Sequence, residues 1–331
     1  MNTSPLLRAG DEGEPVRDLQ QRLVAAGMAV GVNGRYDLPT TDAVRGFQER
    51  RGLRVDGICG PETWSALIES GFELGDRLLY LCQPMLRGDD VVELQQRLNA
   101  LGFDAGREDG ILGPDTERAI GAFQRDAGLA TDKVTGPATL AALNRVGSLA
   151  AGSVAAVRER EALRTEARRI EGLRVFVAGD FGLATLTGAV ATGLKRRGAL
   201  VALDTSGEAA SFVTTSANRF EAELFVALTN GAEPGARCAY FANQTFRSEG
   251  GFWLARRLTD ELRGVLPAVE EPIGRTYRLL RETRMAAVVC ELAGRDDAAA
   301  MAAVTAASPQ LARVIVSGIR RGVEEPVDTA G

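Results

Sequence analysis

The sequence predicts a multidomain protein of α plus α/β class: two three-helix modules followed by an α/β domain with a mostly parallel sheet. A helical block in the first half of the chain recurs about 75 residues later, which indicates a duplicated module. From Leu173 onward, apolar strand-like segments alternate with helical segments, a pattern typical of an α/β domain. A chain of 331 residues is also long enough for two or three separate cores.

Composition and charge narrow the classes of function. The chain is 45% hydrophobic and 25% charged, as in ordinary soluble globular proteins. Its net charge of −5 comes from well-mixed acidic and basic residues, so we expect no nucleic-acid partner. No apolar run approaches the roughly 18 residues of a membrane helix, and the first residues do not read as an export signal. We therefore expect a cytoplasmic protein without a membrane span.

The repeat defines the first two modules. The sequence LQQRL at 19–23 recurs at 94–98, and Phe47-Gln48 recurs as Phe123-Gln124. We place module 1 at 6–70 and module 2 at 85–146.

Each module also repeats a turn within itself. The turn starts with Asp or Asn and ends in Gly-Pro-x-Thr or a variant of it. Its copies are 33–40, 56–63, 109–116 and 132–139, and the first copy matches the motif only in part. Glycine tolerates positive φ in such turns, and proline suits the first turn of the helix that follows. The apolar residues of the next segment recur at helical spacing, so we expect them to face a module core.

These motifs resemble the three-helix peptidoglycan-binding domain family. The resemblance implies that the Gly, Pro, Thr, Leu and Phe positions are scaffold. Contacts to glycan or stem peptide, if made, would come from side chains beside the turns, namely Arg35, Tyr36, Arg107 and Glu108.

The rest of the chain divides into three parts. Residues 147–172 read as a linker and docking helix, 173–321 as the α/β domain, and 322–331 as a short tail with Thr329. Predicted strands lie at 173–178, 199–203, 224–228, 238–241 and 286–292; predicted helices lie at 183–197, 216–221 and 249–262, with two more at the end.

Three segments of this domain, 175–182, 216–230 and 279–292, resemble the zinc-dependent N-acetylmuramoyl-L-alanine amidases. The resemblance implies a zinc ion held by two histidines and a glutamate, with a late glutamate that activates the bound water. Here Phe181 stands at or near the first histidine, Thr229 replaces the second, and only Glu291 matches. The loop that brings the glutamate ligand is shortened.

A catalytic zinc needs about three protein ligands, nearly always including imidazole or thiolate. The sequence contains 0 histidines, so we predict no metal, no cofactor and no amidase activity, with Glu291 as a relic. Two alternatives stay open: Asp180 and Glu291 could hold a hard cation, or Cys238 and Cys290 could act as thiolate ligands. The four cysteines, which include Cys59 and Cys82, lack CxxC spacing, so free and mostly buried thiols are expected.

The whole arrangement, including the segment 274–285, resembles the CwlM-type proteins of actinobacteria. That resemblance implies a cytoplasmic regulator, under Ser/Thr kinase control, that binds the UDP-N-acetylglucosamine enolpyruvyl transferase of peptidoglycan synthesis; binding of peptidoglycan fragments is the other implied partnership. Arg275, Arg281 and Arg284 are either an anion site or ordinary ion-pair partners. The alternative functions are an amidase bound to peptidoglycan and a wall-binding protein in the envelope.

Overall fold

The structure, a computed structural model, describes residues 6–146, 169–243 and 246–325. It separates into two compact units, Met1–Arg158 and Glu159–Gly331. The first unit is helical and the second is α/β, so the predicted fold class is confirmed. The linker at 147–168 and the tail from 326, with Thr329, lie outside the described residues.

The first unit contains three helices in each repeat. They are α1 (Glu14–Ala25), α2 (Leu38–Arg50), α3 (Pro61–Glu69), α4 (Asp89–Ala100), α5 (Pro114–Asp126) and α6 (Pro137–Val146). Each repeat has its own apolar core, centred on Leu19 and Phe47 in the first and on Leu94 and Phe123 in the second. Several helices start with proline in the first turn, where a missing N–H costs no hydrogen bond.

A buried glutamine side chain forms hydrogen bonds to each of the four turns. The Gln48 amide nitrogen donates to Asp56 Oδ1 (2.8 Å), to the Ile58 carbonyl (3.0 Å) and to Thr63 Oγ1 (3.1 Å). Its oxygen accepts the Gly57 amide at 2.9 Å. The same set recurs around Gln20, Gln95 and Gln124. The degenerate turn at 33–40 therefore keeps these hydrogen bonds, with Asn33 in place of aspartate.

Two arginines tie the repeats together. Arg51 at the end of α2 makes a bidentate pair with Asp89 at the start of α4, at 2.9 and 2.7 Å. In the connecting segment, Arg77 Nε donates to the fully buried Asp90 carboxylate at 2.7 Å, and its guanidinium lies 3.7 Å from the centroid of the Phe72 ring. The two modules therefore share an ionic junction.

The second unit has six strands and six α-helices in its described part. The strands are β1 (Arg174–Gly179), β2 (Leu200–Asp204), β3 (Leu224–Gly231), β4 (Arg237–Phe241), β5 (Ile273–Arg275) and β6 (Ala286–Gly294). The helices are α7 (Ala184–Lys195), α8 (Ala210–Arg219), α9 (Glu249–Leu262), α10 (Arg278–Arg281), α11 (Ala298–Ala306) and α12 (Ser308–Glu324), with a 3-10 turn at Phe181–Leu183.

The strand order is β2-β1-β3-β6-β4-β5, and β4 runs antiparallel to β6 whereas the other pairings are parallel. The larger core lies on the sheet face that carries Val177, Val226 and Val288, and α7, α9 and α12 contribute to it. The opposite face carries Phe176 and Phe225, whose rings stack at 5.9 Å. Phe220, just after α8, packs on Phe176.

The predicted strands start and end within a few residues of the observed ones. The predicted helix 216–221 was wrong in its bounds, because the helix spans Ala210–Arg219 and buries Val213 and Ala217 at i, i+4 spacing. The short elements β5 and α10 were not predicted. Across the described residues, no single helix has the length and apolar character of a membrane span; α11 and α12 pass that test only as a pair bent by 77°.

Candidate functional site

The candidate site lies where the carboxyl ends of β3 and β6 meet the start of β4. Thr229 on β3 is paired with Glu291 on β6, and Glu291 is paired in turn with Arg237 on β4. Residues paired across neighbouring strands project from the same face of the sheet. The register therefore brings a hydroxyl, a carboxylate and a guanidinium together in one row.

Both oxygens of the Glu291 carboxylate are engaged. The Tyr277 hydroxyl donates to Oε1 at 3.1 Å, and Arg237 Nε lies 3.9 Å from Oε2. Glu291 is 3% exposed, so these neighbours rather than bulk water surround its charge. A Cβ at Gly231 would lie 3.1 Å from Oε2, so the absence of a side chain there leaves room for the carboxylate.

An alternating row of charges extends from this carboxylate. Arg237 also pairs with Glu233, and its Nη2 donates to the Pro234 carbonyl at 2.8 Å. Glu233 pairs in turn with Arg275, whose Nη2 lies 3.4 Å from Glu233 Oε1. We call Glu291, Tyr277, Arg237, Glu233 and Arg275 the Glu291 cluster. Its two cations are balanced by two carboxylates, as buried charges require.

The two positions predicted to replace histidines lie in different surroundings. Phe181 begins the 3-10 turn after β1 and is 82% exposed. Thr229 is 6% exposed, and its hydroxyl has no hydrogen-bond partner among the described residues. Asp180 accepts the Asn230 amide at 3.1 Å, which fixes its carboxylate to the end of β3.

These residues do not fit the zinc site that the amidase resemblance implies. Phe181 offers no ligand atom, and a threonine hydroxyl is not among the usual ligands of zinc. The carboxylate of Glu291 already faces a guanidinium. Within 6–146, 169–243 and 246–325, no group of three or more Cys, Asp or Glu side chains is arranged to hold a metal ion.

The cysteine alternative places two thiols together on the other side of the sheet. Cys238 and Cys290 are paired on β4 and β6 with their sulfurs 3.7 Å apart, and both are fully buried in the larger core. The hydrogen bond with Cys238 and burial raise the pKa of the Cys290 thiol well above its ordinary value. A thiolate ligand is therefore disfavoured there. All four cysteines are free thiols.

The three predicted binding residues of this domain have different surroundings. Arg275 is nine-tenths buried and belongs to the Glu291 cluster. Arg281 is half-buried on α10, and Arg284 is exposed, with its amide donating to Asn218 Oδ1 at 3.1 Å. The ion-pair alternative therefore describes Arg275. The partners that sequence reasoning missed are Tyr277, Glu233 and Arg237; an arginine heading the apolar strand 237–241 was the available signal.

In the helical modules, only part of the predicted binding set is accessible. Arg35 is exposed and pairs with Glu12 at 3.4 Å, and Arg107 is half-buried. Tyr36 is 2% exposed, with its hydroxyl donating to the Gly57 carbonyl at 2.9 Å, and burial raises its pKa above the ordinary range. Glu108 is 2% exposed and accepts from Asn99 at 3.2 Å. Tyr36 and Glu108 are therefore scaffold residues, which corrects their prediction as surface contacts.

Comparison with known proteins agrees with this architecture. The family described as putative peptidoglycan binding domain matches residues 12–67 and 87–143. The chain is 33% identical over 334 residues to "N-acetylmuramoyl-L-alanine amidase CwlM" of Mycobacterium tuberculosis, covering 86% of this chain and 81% of that one. It is 34% identical over 165 residues to the amidase CwlL of Bacillus licheniformis, covering 43% of this chain and 46% of that one. Among solved structures, the amidase AmiC2 of Nostoc punctiforme matches with a TM-score of 0.37 and 17% identity, over 44% of this chain and 94% of that one.

The fold and the sequence matches define a protein with tandem peptidoglycan-binding modules and an amidase-like α/β domain. The chain belongs to the CwlM family.

Proposed function

We propose that this chain is a non-catalytic, cytoplasmic binding protein of peptidoglycan metabolism, whose amidase-like domain acts by contact rather than by hydrolysis. One observation carries the proposal: Glu291 faces Arg237 and Tyr277, while Phe181 and Thr229 occupy the positions assigned to the metal-binding histidines. The recognition chemistry belongs to the peptidoglycan-binding modules and to the surface of the α/β domain.

Electrostatics supports the loss of hydrolysis. A divalent cation held by Glu291 would lie close to the guanidinium of Arg237, and each unit of its charge at 4 Å would be repelled by about 4 kcal/mol at an effective dielectric constant of 20. This repulsion disfavours metal binding at Glu291, in addition to the missing ligands. The Tyr277 hydroxyl also occupies one oxygen of the Glu291 carboxylate, so only Oε2, which faces Arg237, would be left to accept a proton from water.

The proposed partners are the UDP-N-acetylglucosamine enolpyruvyl transferase or soluble peptidoglycan fragments. The modules support fragment binding through their family match. The transferase follows from the CwlM resemblance. The alternative function, an amidase bound to peptidoglycan, is favoured by the names of the relatives.

Metal analysis together with an amidase assay separates the two functions. The full chain is purified, incubated with zinc and desalted, and its zinc content is measured by mass spectrometry. The same protein is then incubated with muropeptides in parallel with an active zinc amidase. We expect fewer than about 0.1 zinc per chain and no release of stem peptide, because a site without its ligand set gains little metal-binding free energy. Stoichiometric zinc with turnover overturns the proposal.

A binding experiment separates the partners and the compartment. The full chain is offered purified sacculi, soluble muropeptides and the purified transferase in parallel, and its location is measured by cell fractionation. We expect binding to the transferase or to muropeptides and recovery in the cytoplasmic fraction. Binding to sacculi alone, with recovery in the envelope, contradicts the proposal. Arg35→Ala is expected to weaken binding of muropeptides, and Arg125→Ala, which changes an exposed arginine at the end of α5 in the other module, is the control.

A further inference from the structure

Among the residues that the structure describes, strand β2 forms an open, apolar edge of the sheet. It is the outermost strand on its side, and its residues are Leu200-Val201-Ala202-Leu203-Asp204. Leu200 and Leu203 are 56% and 45% exposed. Two large apolar side chains on one five-residue edge strand are an exposure that soluble proteins usually avoid.

The backbone of β2 directs alternate amides away from the sheet. The Leu200 amide donates to the Leu173 carbonyl at 2.9 Å, so Leu200 points its peptide groups toward β1. Because these groups alternate along a strand, Ala202 does the same, whereas Val201 and Leu203 turn theirs to the outer edge. The edge therefore offers two N–H and two C=O groups for pairing.

Several of the devices that blunt an edge strand are missing from β2. Natural edge strands carry lysine, proline, a bulge or an inward-pointing charge. β2 has neither lysine nor proline, its register with β1 is unbroken from Leu200 to Asp204, and its one charge is at its last residue. The strand is suited to pairing with another strand.

The charges beside β2 favour a second copy of this chain as the partner. Three exposed cations, Lys195, Arg196 and Arg197, precede the strand, and Asp204 and the exposed Glu208 end and follow it. Antiparallel pairing of two β2 strands about a two-fold axis sets each basic flank beside the acidic flank of the other copy. Parallel pairing sets like charges together.

We propose that two copies of this chain associate through antiparallel pairing of their β2 strands, which joins the two sheets into one. The register that sets Val201 opposite Leu203 of the second copy makes both of them hydrogen-bonded pairs, because both residues turn their peptide groups outward. It also covers the exposed Leu203 side chain with Val201 of the other copy. The association is independent of the proposed function.

Sedimentation of the full chain over a concentration series tests the proposal. We expect the mass to rise from 35.1 kDa toward twice that value by about 100 µM, where a dimer with a Kd near 10 µM is mostly formed. Leu203→Lys, which places a charge on the edge, is expected to raise the dissociation constant about tenfold or more. Leu203→Pro removes an outward amide without touching the bonds to β1 and has the same expected effect. Leu38→Lys, which changes a 69% exposed leucine in the helical unit, is the matched control and leaves the mass unchanged.

Charge-reversed variants test the pairing directly. Arg196→Glu with Arg197→Glu makes both flanks acidic, and Asp204→Lys with Glu208→Lys makes both basic. Each variant alone is expected to stay monomeric, and their mixture is expected to form the heterodimer, less stably at high salt. A wild-type mass fixed at one chain, dimers unaffected by Leu203→Lys and Leu203→Pro, or a mixture that stays monomeric overturns the proposal. A monomer that binds an extended strand of another protein also overturns it.

Discussion

Arg237 lies directly opposite Glu291 in the antiparallel pair of β4 and β6, with its Nε 3.9 Å from the carboxylate and both side chains less than one-tenth exposed. A buried carboxylate needs a neighbouring cation or hydrogen-bond donors. Here a side chain of the same sheet supplies the cation. The pair explains how the Glu291 carboxylate is accommodated at a buried position of this sheet.

Removing Arg237 alone is expected to destabilise the α/β domain more than removing both partners. Arg237→Met leaves the buried Glu291 without its cation, at a cost of about 3–5 kcal/mol in the free energy of unfolding. Arg237→Met combined with Glu291→Met removes both charges and is expected to cost less. Urea unfolding followed by circular dichroism and by tryptophan fluorescence measures both variants, in a Trp64→Phe background that leaves Trp253 on α9 as the remaining tryptophan.

Arg263→Met is the control in the same domain, because its pairs with Asp260 and Glu271 are exposed and worth about 0–1 kcal/mol. If the double variant is as unstable as the single one, the charge balance of the Glu291 cluster is not what stabilises this end of the sheet.

The buried glutamine of a turn is expected to matter far more than its exposed neighbour. Gln20→Ala leaves the Gly34 amide without its acceptor, which costs about 1–3 kcal/mol. Gln21→Ala changes an exposed residue on the same helix and is expected to stay within about 0.5 kcal/mol. Hydrogen exchange of the 33–40 segment, read by mass spectrometry of the full chain, measures the loss locally. Equal protection of this segment in both variants contradicts the stabilising role of the Gln20 hydrogen bonds.

The fold was predictable from the sequence because its signals are local and repeated. The LQQRL repeat and the Gly-Pro turns fix the modules, and apolar runs such as Leu224–Leu228 mark the buried strands. Short elements such as β5 carry no such signal, since three residues cannot show a period.

The site was predictable only in part. Glu291 was found through its motif, but its partners Arg237 and Tyr277 come from β4 and from the residue that precedes α10. Strand register and a close approach at Gly231 bring them together, and spacing along the chain does not encode either. Tyr36 was misassigned for a related reason: a tyrosine beside a turn reads as a surface residue until its hydroxyl finds a buried carbonyl.

The turns of the helical modules are expected to lose stability in acid. Hydrogen bonds from the Val134 amide and the Gln124 side chain lower the pKa of Asp132 below its ordinary 3.8. A carboxyl whose pKa is lowered by folding contributes stability above its unfolded pKa and loses it as the pH falls through its folded pKa. Asp132→Asn keeps an acceptor but cannot titrate, so its stability is expected to fall less than that of the wild type below pH 3.8.

Thermal unfolding of both proteins from neutral pH to below pH 3.8 measures the difference. Asp126→Asn, which removes an exposed carboxylate at the end of α5, is the control and is expected to follow the wild type. Parallel pH profiles for Asp132→Asn and the wild type contradict this role of Asp132.

The thiols are expected to differ sharply in reactivity. Cys59 is buried, and burial raises the pKa of its thiol to about 12, while Cys238 and Cys290 are fully buried on one sheet face. Cys82, in the segment between the modules, is half-buried. Because the thiolate is the reactive form and needs access, a thiol reagent at pH 8 is expected to label Cys82 first, with the other three reacting only after unfolding. Intact mass spectrometry counts the labels on each chain. Cys82→Ser is expected to abolish the fast labelling. Fast labelling of Cys238 or Cys290 in the folded protein contradicts their burial.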